Sequence, residues 1–99
     1  MAPLFMVLLR FAAQRDRAAA LMDAHKAWIA AGFEDGVFLL TGSLAGGGGG
    51  VLAHNIARDA LETRIAMDPF VAEGVVEAEI VEIAPGRVDD RLAFLAETP

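Results

Sequence analysis

Two stretches of the chain are apolar at nearly every position, and neither alternates. Leu4-Phe5-Met6-Val7-Leu8-Leu9-Arg10-Phe11 and Val37-Phe38-Leu39-Leu40-Thr41-Gly42-Ser43-Leu44 each predict a β-strand covered on both faces, because a strand with one wet face alternates with a period of two. Between them, Ala18, Leu21, Met22, His25, Trp28 and Ile29 recur at spacings of three and four. That spacing predicts a helix from Gln14 to Gly32 with one apolar stripe, its end bracketed by Gly32 and Gly36. Arg15, Asp23, Lys26 and Ala30 fall on the wetter side.

The second strand runs into Ala45 to Gly50, which contains five consecutive glycines, and a third strand is predicted over Val51 to Ala57. The pair reads as a hairpin with a flexible connection. A phosphate-binding glycine loop needs a following helix and usually a Lys with Ser or Thr; here a strand follows and no Lys is near. A shorter helix is predicted from Asp59 to Met67. Asp59 and Glu62 stand at capping-box spacing, and Leu61 and Ile65 form its apolar pair.

Asp68-Pro69-Phe70-Val71-Ala72-Glu73-Gly74-Val75 then predicts a tight helical turn. Pro69 suits its first position, Asp68 its N-cap, and Gly74 the positive φ that closes it. The fourth strand, Val75 to Ala84, has an apolar face that switches sides near Ile80. A bulge would do that, and so would a change of neighbour along the strand from solvent to a partner subunit. Pro85-Gly86 breaks it. Val88 to Glu97 reads as a short helix or extension whose Leu92, Phe94 and Leu95 look for a surface.

The order β-α-β-β-α-β with right-handed crossovers predicts an α+β protomer of the ferredoxin-like kind, a four-stranded antiparallel sheet with two helices on one face. That leaves the other sheet face bare, although the first two strands are apolar on both sides. Two sheets packed face to face resolve the conflict, so a homodimer is expected.

Composition narrows the function. Ninety-nine residues make a single domain (1–99), with a core over 3–84 and an extension over 85–99. An apolar fraction of 56% is high for a small monomer and again points to self-association. The net charge is −6 with no basic run, which argues against nucleic acid, since phosphate neutralisation needs clustered Lys or Arg. With no cysteine there is no disulfide framework and no thiol nucleophile, in keeping with a cytoplasmic protein. Leu4 to Leu9 has no Lys or Arg ahead of it and is too short to span a bilayer, so neither a signal peptide nor a membrane partner is expected.

Candidate chemistry centres on the two histidines, His25 and His54. They lie far apart and no HExxH or other close set of metal ligands occurs, so no metal or other cofactor is expected. His25, within or beside the apolar stripe, has two readings. It is a packed side chain with one satisfied hydrogen bond, or a general acid/base oriented by a carboxylate. Asp68 is the carboxylate within reach, because both helices lie on one sheet face, and capping and orienting are compatible roles for two oxygens. His54 shares a face with Leu52 and Ile56, as a cleft residue or a partly exposed strand residue. Gly42 and Ser43 end the second strand, where a free amide or hydroxyl meets a ligand. Arg10 and Arg17 are candidate anion contacts, or solvated ends of their elements. Glu77 and Glu79 are expected at a solvated or dimer-rim face.

The Asp68-Pro69-Phe70 turn leading through Gly74-Val75 into the last strand, the helix bearing Arg17 and His25, the strand ending Leu40-Thr41-Gly42-Ser43-Leu44, and the Gly-rich hairpin together resemble the YciI-like (YCII-related) family up to about Ala84. The resemblance implies a dimeric α+β barrel and a His–Asp pair in a cleft as a catalytic dyad, falling on His25 and Asp68. The chain departs from the pattern at Gly42-Ser43, where Gly-Pro is frequent, and at Lys26, where a leucine usually follows the histidine. Three functions remain open at this point. One is a small cofactor-independent enzyme of lyase or isomerase type, acting on a small, cyclic or aromatic substrate. Another is a non-catalytic ligand-binding or regulatory dimer. The third is a purely structural dimer.

Overall fold

A computed structural model describes residues 2–96. Strand β1 is Leu4–Phe11, followed by a 3-10 turn at Arg15–Arg17 and helix α1 at Ala18–Glu34. Strands β2 (Phe38–Ser43) and β3 (Gly49–Ala53) form the hairpin; α2 (Arg58–Ala66) and the single-turn α3 (Pro69–Ala72) lead into β4 (Val76–Ile83). The fold is α+β, and its four-stranded sheet has the order β2-β3-β1-β4. Each neighbouring pair is antiparallel, with β1 and β3 central. No helix among the described residues is long and apolar enough to cross a membrane.

Half of the continuous apolar run of β1 is explained by the helices packed on one side. Phe5, Val7 and Leu9 are buried with Val51, Ala53 and Val76 under Leu61, Ile65 and Phe70, and α1 packs Ala18, Leu21, Met22 and Trp28 against the same cluster. Helices α1, α2 and α3 therefore cover one face. Fully burying a side chain such as Phe5 or Val7 stabilises the fold by roughly 1.5–3 kcal/mol. The alternate residues Leu4, Met6 and Leu8 point to the opposite face, where they stand beside Leu52, Val81 and Ile83. That face carries none of α1, α2 and α3 and is in this sense helix-free. Leu40, Val81 and Ile83 on it are exposed.

The β1–β4 register runs unbroken from Leu4 opposite Ile83 to Phe11 opposite Val76. The switch of apolar side in β4 is therefore not a bulge. Val76 and Ile80 face the helices, whereas Val81 and Ile83 belong to the helix-free side. The irregularity sits in β2 instead, where one extra residue separates Phe38, opposite Ala53, from Leu40, opposite Leu52. Strict alternation from Phe38 would turn Leu40 toward the helices. The bulge reverses this: Leu40 faces outward, 54% exposed, and Thr41, opposite the buried Val51, turns inward with Ser43.

Element ends shift from their predicted places for local reasons. Gly32 does not end α1 but sits inside it, because a Cβ there would lie 2.1 Å from the Phe38 ring. The helix stops at Asp35–Gly36, where the Val37 and Gly36 amides donate to Gly32 and Phe33 carbonyls at 3.0 Å. Two of the five glycines, Gly49 and Gly50, belong to β3 rather than to the loop. The N-cap of α2 is Ala57 with no side-chain bond, and Asp59 lies inside the first turn, accepting from the Ala60 amide at 2.9 Å. The predicted Asp59–Glu62 capping box does not form.

Beyond β4 the described residues finish in 3-10 turns over Asp90–Ala96, kinked at Leu92. The Arg91 guanidinium, with the Arg91 amide, holds the exposed Asp89 carboxyl below the usual carboxylate range. Leu95 is buried and Phe94 meets His54 edge-on at 5.7 Å, whereas Leu92 stays exposed.

Candidate functional site

The turn at residues 68–75 is closed at both ends by its own sequence. Asp68 is the N-cap of α3, accepting from the Phe70 amide at 3.0 Å, and Pro69 occupies the first helical position, where no amide hydrogen is needed. At the other end Gly74 takes φ +74°, and the Val75 amide returns to the Phe70 carbonyl at 2.9 Å. This double closure holds Asp68 and Phe70 in fixed positions under α1.

His25 comes down onto them from the middle of α1. Its Nδ1 lies 2.7 Å from Asp68 Oδ1. A carboxylate only accepts hydrogen bonds, so facing one Nδ1 carries the hydrogen, and in the neutral imidazole the lone pair is then on Nε2. The imidazole also lies flat on the Phe70 ring, centroids 3.9 Å apart and planes within 2°. Trp28 continues the stack at 6.0 Å and is itself tied to α2, its indole N–H donating to the Arg64 carbonyl at 2.9 Å. Two contacts of different kinds, one to an edge and one to a face, thus set both the position and the tilt of the ring.

Asp68 is completely buried, whereas the His25 side chain keeps 13% exposure. The carboxylate therefore stands behind the imidazole and does not reach the open space in front of it. Among the described residues Asp68 Oδ2 has no partner, although it is buried. Leaving such an oxygen unpaired costs on the order of 1–3 kcal/mol. An N-cap alone is equally served by Ser, Thr or Asn, so capping does not account for a carboxylate here. Among the described residues no hydrogen bond reaches Nε2, and the partly exposed ring lines a cleft.

The open space in front of His25 is a cleft of about 330 Å³ between α1 and the β2–β3 hairpin. That is at the small end of the range for ligand pockets, roughly 300–1,000 Å³. Met22, His25, Lys26 and Ile29 line it from one face of α1. Leu9 and Phe11 supply the apolar wall from β1, and Thr41 and Ser43 supply hydroxyls that the β2 bulge has turned inward. The hairpin closes tightly over the end of β1: Gly48 has φ +89°, and a Cβ on it would lie 2.2 Å from the Leu9 carbonyl oxygen.

Of the residues singled out in the sequence, His25, Gly42 and Ser43 line the cleft, and Asp68 supports His25 from behind. Arg17 lies elsewhere, paired with Glu73 at 3.0 Å on the surface. His54 is also outside the cleft lining; it sits one residue past β3, beside Phe94. Thr41, Lys26 and Phe70 are among the lining residues that were not foreseen. Thr41 needed knowledge of the bulge. Lys26 is adjacent to His25 and one turn from Ile29, so the helical spacing held its signal, masked by its assignment to the wet side. Phe70 lay in the turn itself, where an aromatic after Asp-Pro is placed to meet the helix above. No group of three or more His, Cys, Asp or Glu among the described residues is placed to hold a metal ion.

The chain matches no protein-family model and no curated protein.

Proposed function

We infer that this protein is a small cofactor-independent enzyme of the YciI-like kind, in which His25 moves a proton on a small cyclic or aromatic substrate and Asp68 positions it. The single observation that carries this is the 2.7 Å contact between His25 Nδ1 and a wholly buried Asp68, with Nε2 left free toward a cleft. A packed, purely structural histidine needs neither a buried carboxylate nor an open second nitrogen.

The chemistry follows from the tautomer. Nε2 takes a proton from an acidic C–H or O–H, and the electron pair of that bond moves into an adjacent unsaturated group of the substrate. The imidazolium so formed carries its charge between the Asp68 carboxylate and the Phe70 ring face. Returning the same proton to a different carbon gives an isomerisation; loss of a neighbouring leaving group, which departs with the electron pair and takes up that proton from the imidazolium, gives an elimination. Either outcome fits lyase or isomerase chemistry and conserves the proton.

The ferredoxin-like arrangement is supported by the strand order and the one-sided helices, and the dimeric α+β barrel by the helix-free sheet face. Leu4, Met6, Leu8, Leu40, Leu52 and Val81 make that face apolar. A second copy packed sheet to sheet would cover it.

The test uses α-angelica lactone, a neutral five-membered ring whose conversion to the conjugated isomer is one proton shift. The wild type is expected to accelerate it and His25→Gln to lose about 10²–10⁴-fold of that rate. Equal rates for the two proteins would remove the acid–base role. Saturable binding of the lactone without turnover would favour the ligand-binding reading instead.

A further inference from the structure

We propose that Lys26 makes the cleft selective for anionic ligands, so that the natural substrate is a small ring or short apolar body bearing a carboxylate or an equivalent acidic group. This deepens the reading of the cleft beside His25 as the ligand site, and rests on it.

The distribution of charge carries the inference. The chain has a net charge of −6, yet no carboxylate lines the cleft; Asp68, the nearest, is sealed behind the imidazole. Lys26 is the cation among the lining residues. Most other cations of the described residues are spent. Arg10 pairs with Glu79, Arg17 with Glu73, Arg58 with Glu62, Arg64 with Asp35 and Arg91 with Asp89. Arg15 lies over the Phe11 ring at 4.2 Å. Among the described residues no carboxylate comes within ion-pair distance of Lys26, including Asp23 one turn before it. An ammonium at the rim of an otherwise uncharged, mostly apolar cleft attracts an anion and repels nothing that an acidic ligand carries.

The remaining lining fits the same ligand. Leu9, Phe11 and Ile29 offer apolar surface for its body, and the Thr41 and Ser43 hydroxyls offer neutral donors to its oxygens. A lysine one position after His25 shares its helical face closely enough for both to meet one small molecule. The acidic group would then be anchored at Lys26 while a C–H of the body faces Nε2.

Benzoate and benzamide test this, being nearly identical in shape and different in charge. Binding is followed through the His25 ring signals in a ¹H–¹³C correlation spectrum. In the wild type both probes are expected to shift those signals, benzoate with an affinity greater by about fivefold. Lys26→Gln should bring the two affinities together, Lys26→Arg should keep the preference, and 0.5 M NaCl should weaken it in the wild type as charges are screened. If both probes move His25 but Lys26→Gln leaves the ratio unchanged, or there is no preference at the start, the charge selection is overturned and the cleft survives as a ligand site. If neither probe moves the His25 signals, the cleft reading fails and takes this one with it.

Discussion

His25 and Phe70 lie parallel, ring on ring, with centroids 3.9 Å apart and planes 2° apart. Such a stack contributes on the order of 0.5–1.5 kcal/mol beyond the area it buries, but its larger effect is geometric. A hydrogen bond to Nδ1 alone leaves the imidazole free to rotate about the Nδ1–Oδ1 line; the Phe70 face removes that freedom. Phe70→Leu keeps an apolar side chain under the ring and loses the flat support. We expect a stability loss of roughly 1–2 kcal/mol, and a fall in proton-transfer rate of about 10- to 100-fold from the misplaced base. Thermal melts and the lactone assay measure the two separately. A variant with full activity would show that Asp68 alone orients the ring.

Asp68 has two duties that different substitutions separate. It caps α3 through the Phe70 amide, and it holds His25 through the same oxygen. Asp68→Asn keeps a carbonyl oxygen for the cap but presents an amide, not a charge, to the imidazole. Its melting temperature should stay close to wild type, while activity falls about 10²-fold or more. The ¹⁵N shifts of the His25 ring should change, since the amide removes the charged partner of Nδ1. Asp68→Ala removes the cap as well, and should cost about 1–3 kcal/mol through the orphaned buried amide. If the Asn variant kept wild-type activity, the carboxylate would be a cap and nothing more.

Why the turn was readable and other parts were not is a matter of range. The Asp68-Pro69 start and Gly74 end of α3 are local: a missing amide hydrogen, a side-chain acceptor and a positive φ are properties of single residues. The two-sided apolar run of β1 was readable for the same reason. The β2 bulge was not, because Phe38-Leu39-Leu40 holds three bulky residues of similar pattern, and the extra one is chosen by pairing with β3. That unseen shift carries Thr41 into the cleft and leaves Leu40 outside. Gly32 misled in the opposite way. It looks like a helix terminator, but its lack of a side chain serves the contact with Phe38, a residue in the next element. The distance between His25 and Asp68 also depends on how α1 and α3 pack, which no local rule supplies.

The five-glycine run is not uniformly needed. Gly48 has φ +89° and no room for a Cβ, which would meet the Leu9 carbonyl at 2.2 Å. Gly46 has nothing within 4 Å of a Cβ position. Gly48→Ala should therefore be destabilising by more than about 1 kcal/mol, through strain and a displaced hairpin. Gly46→Ala should be neutral or stabilising by up to about 1 kcal/mol, since it only narrows the unfolded ensemble. Denaturant midpoints for the two variants decide it. Because the hairpin forms one wall of the cleft, Gly48→Ala should also weaken benzoate binding, and Gly46→Ala should not.

The helix-free sheet face makes the last prediction. Leu40 is 54% exposed there, on an edge strand, and Val81 is 37% exposed on the opposite edge. An apolar face of this breadth, flanked by Arg10 and Glu79, has the layout of an interface with an apolar centre and a charged rim. Burying it against a second copy would account for strands that are apolar on both sides. Leu40→Glu places a charge inside the apolar part of such a contact, one on each copy, so burying them would oppose the association. Sedimentation equilibrium should show the wild type as a dimer and Leu40→Glu as a monomer with unchanged far-ultraviolet circular dichroism. Arg10→Gln, at the rim, should shift the dimer constant by less than about tenfold. A wild-type chain that sediments as a monomer at micromolar concentration would leave the face uncovered, and would require that the cleft and its His25 work in a single copy.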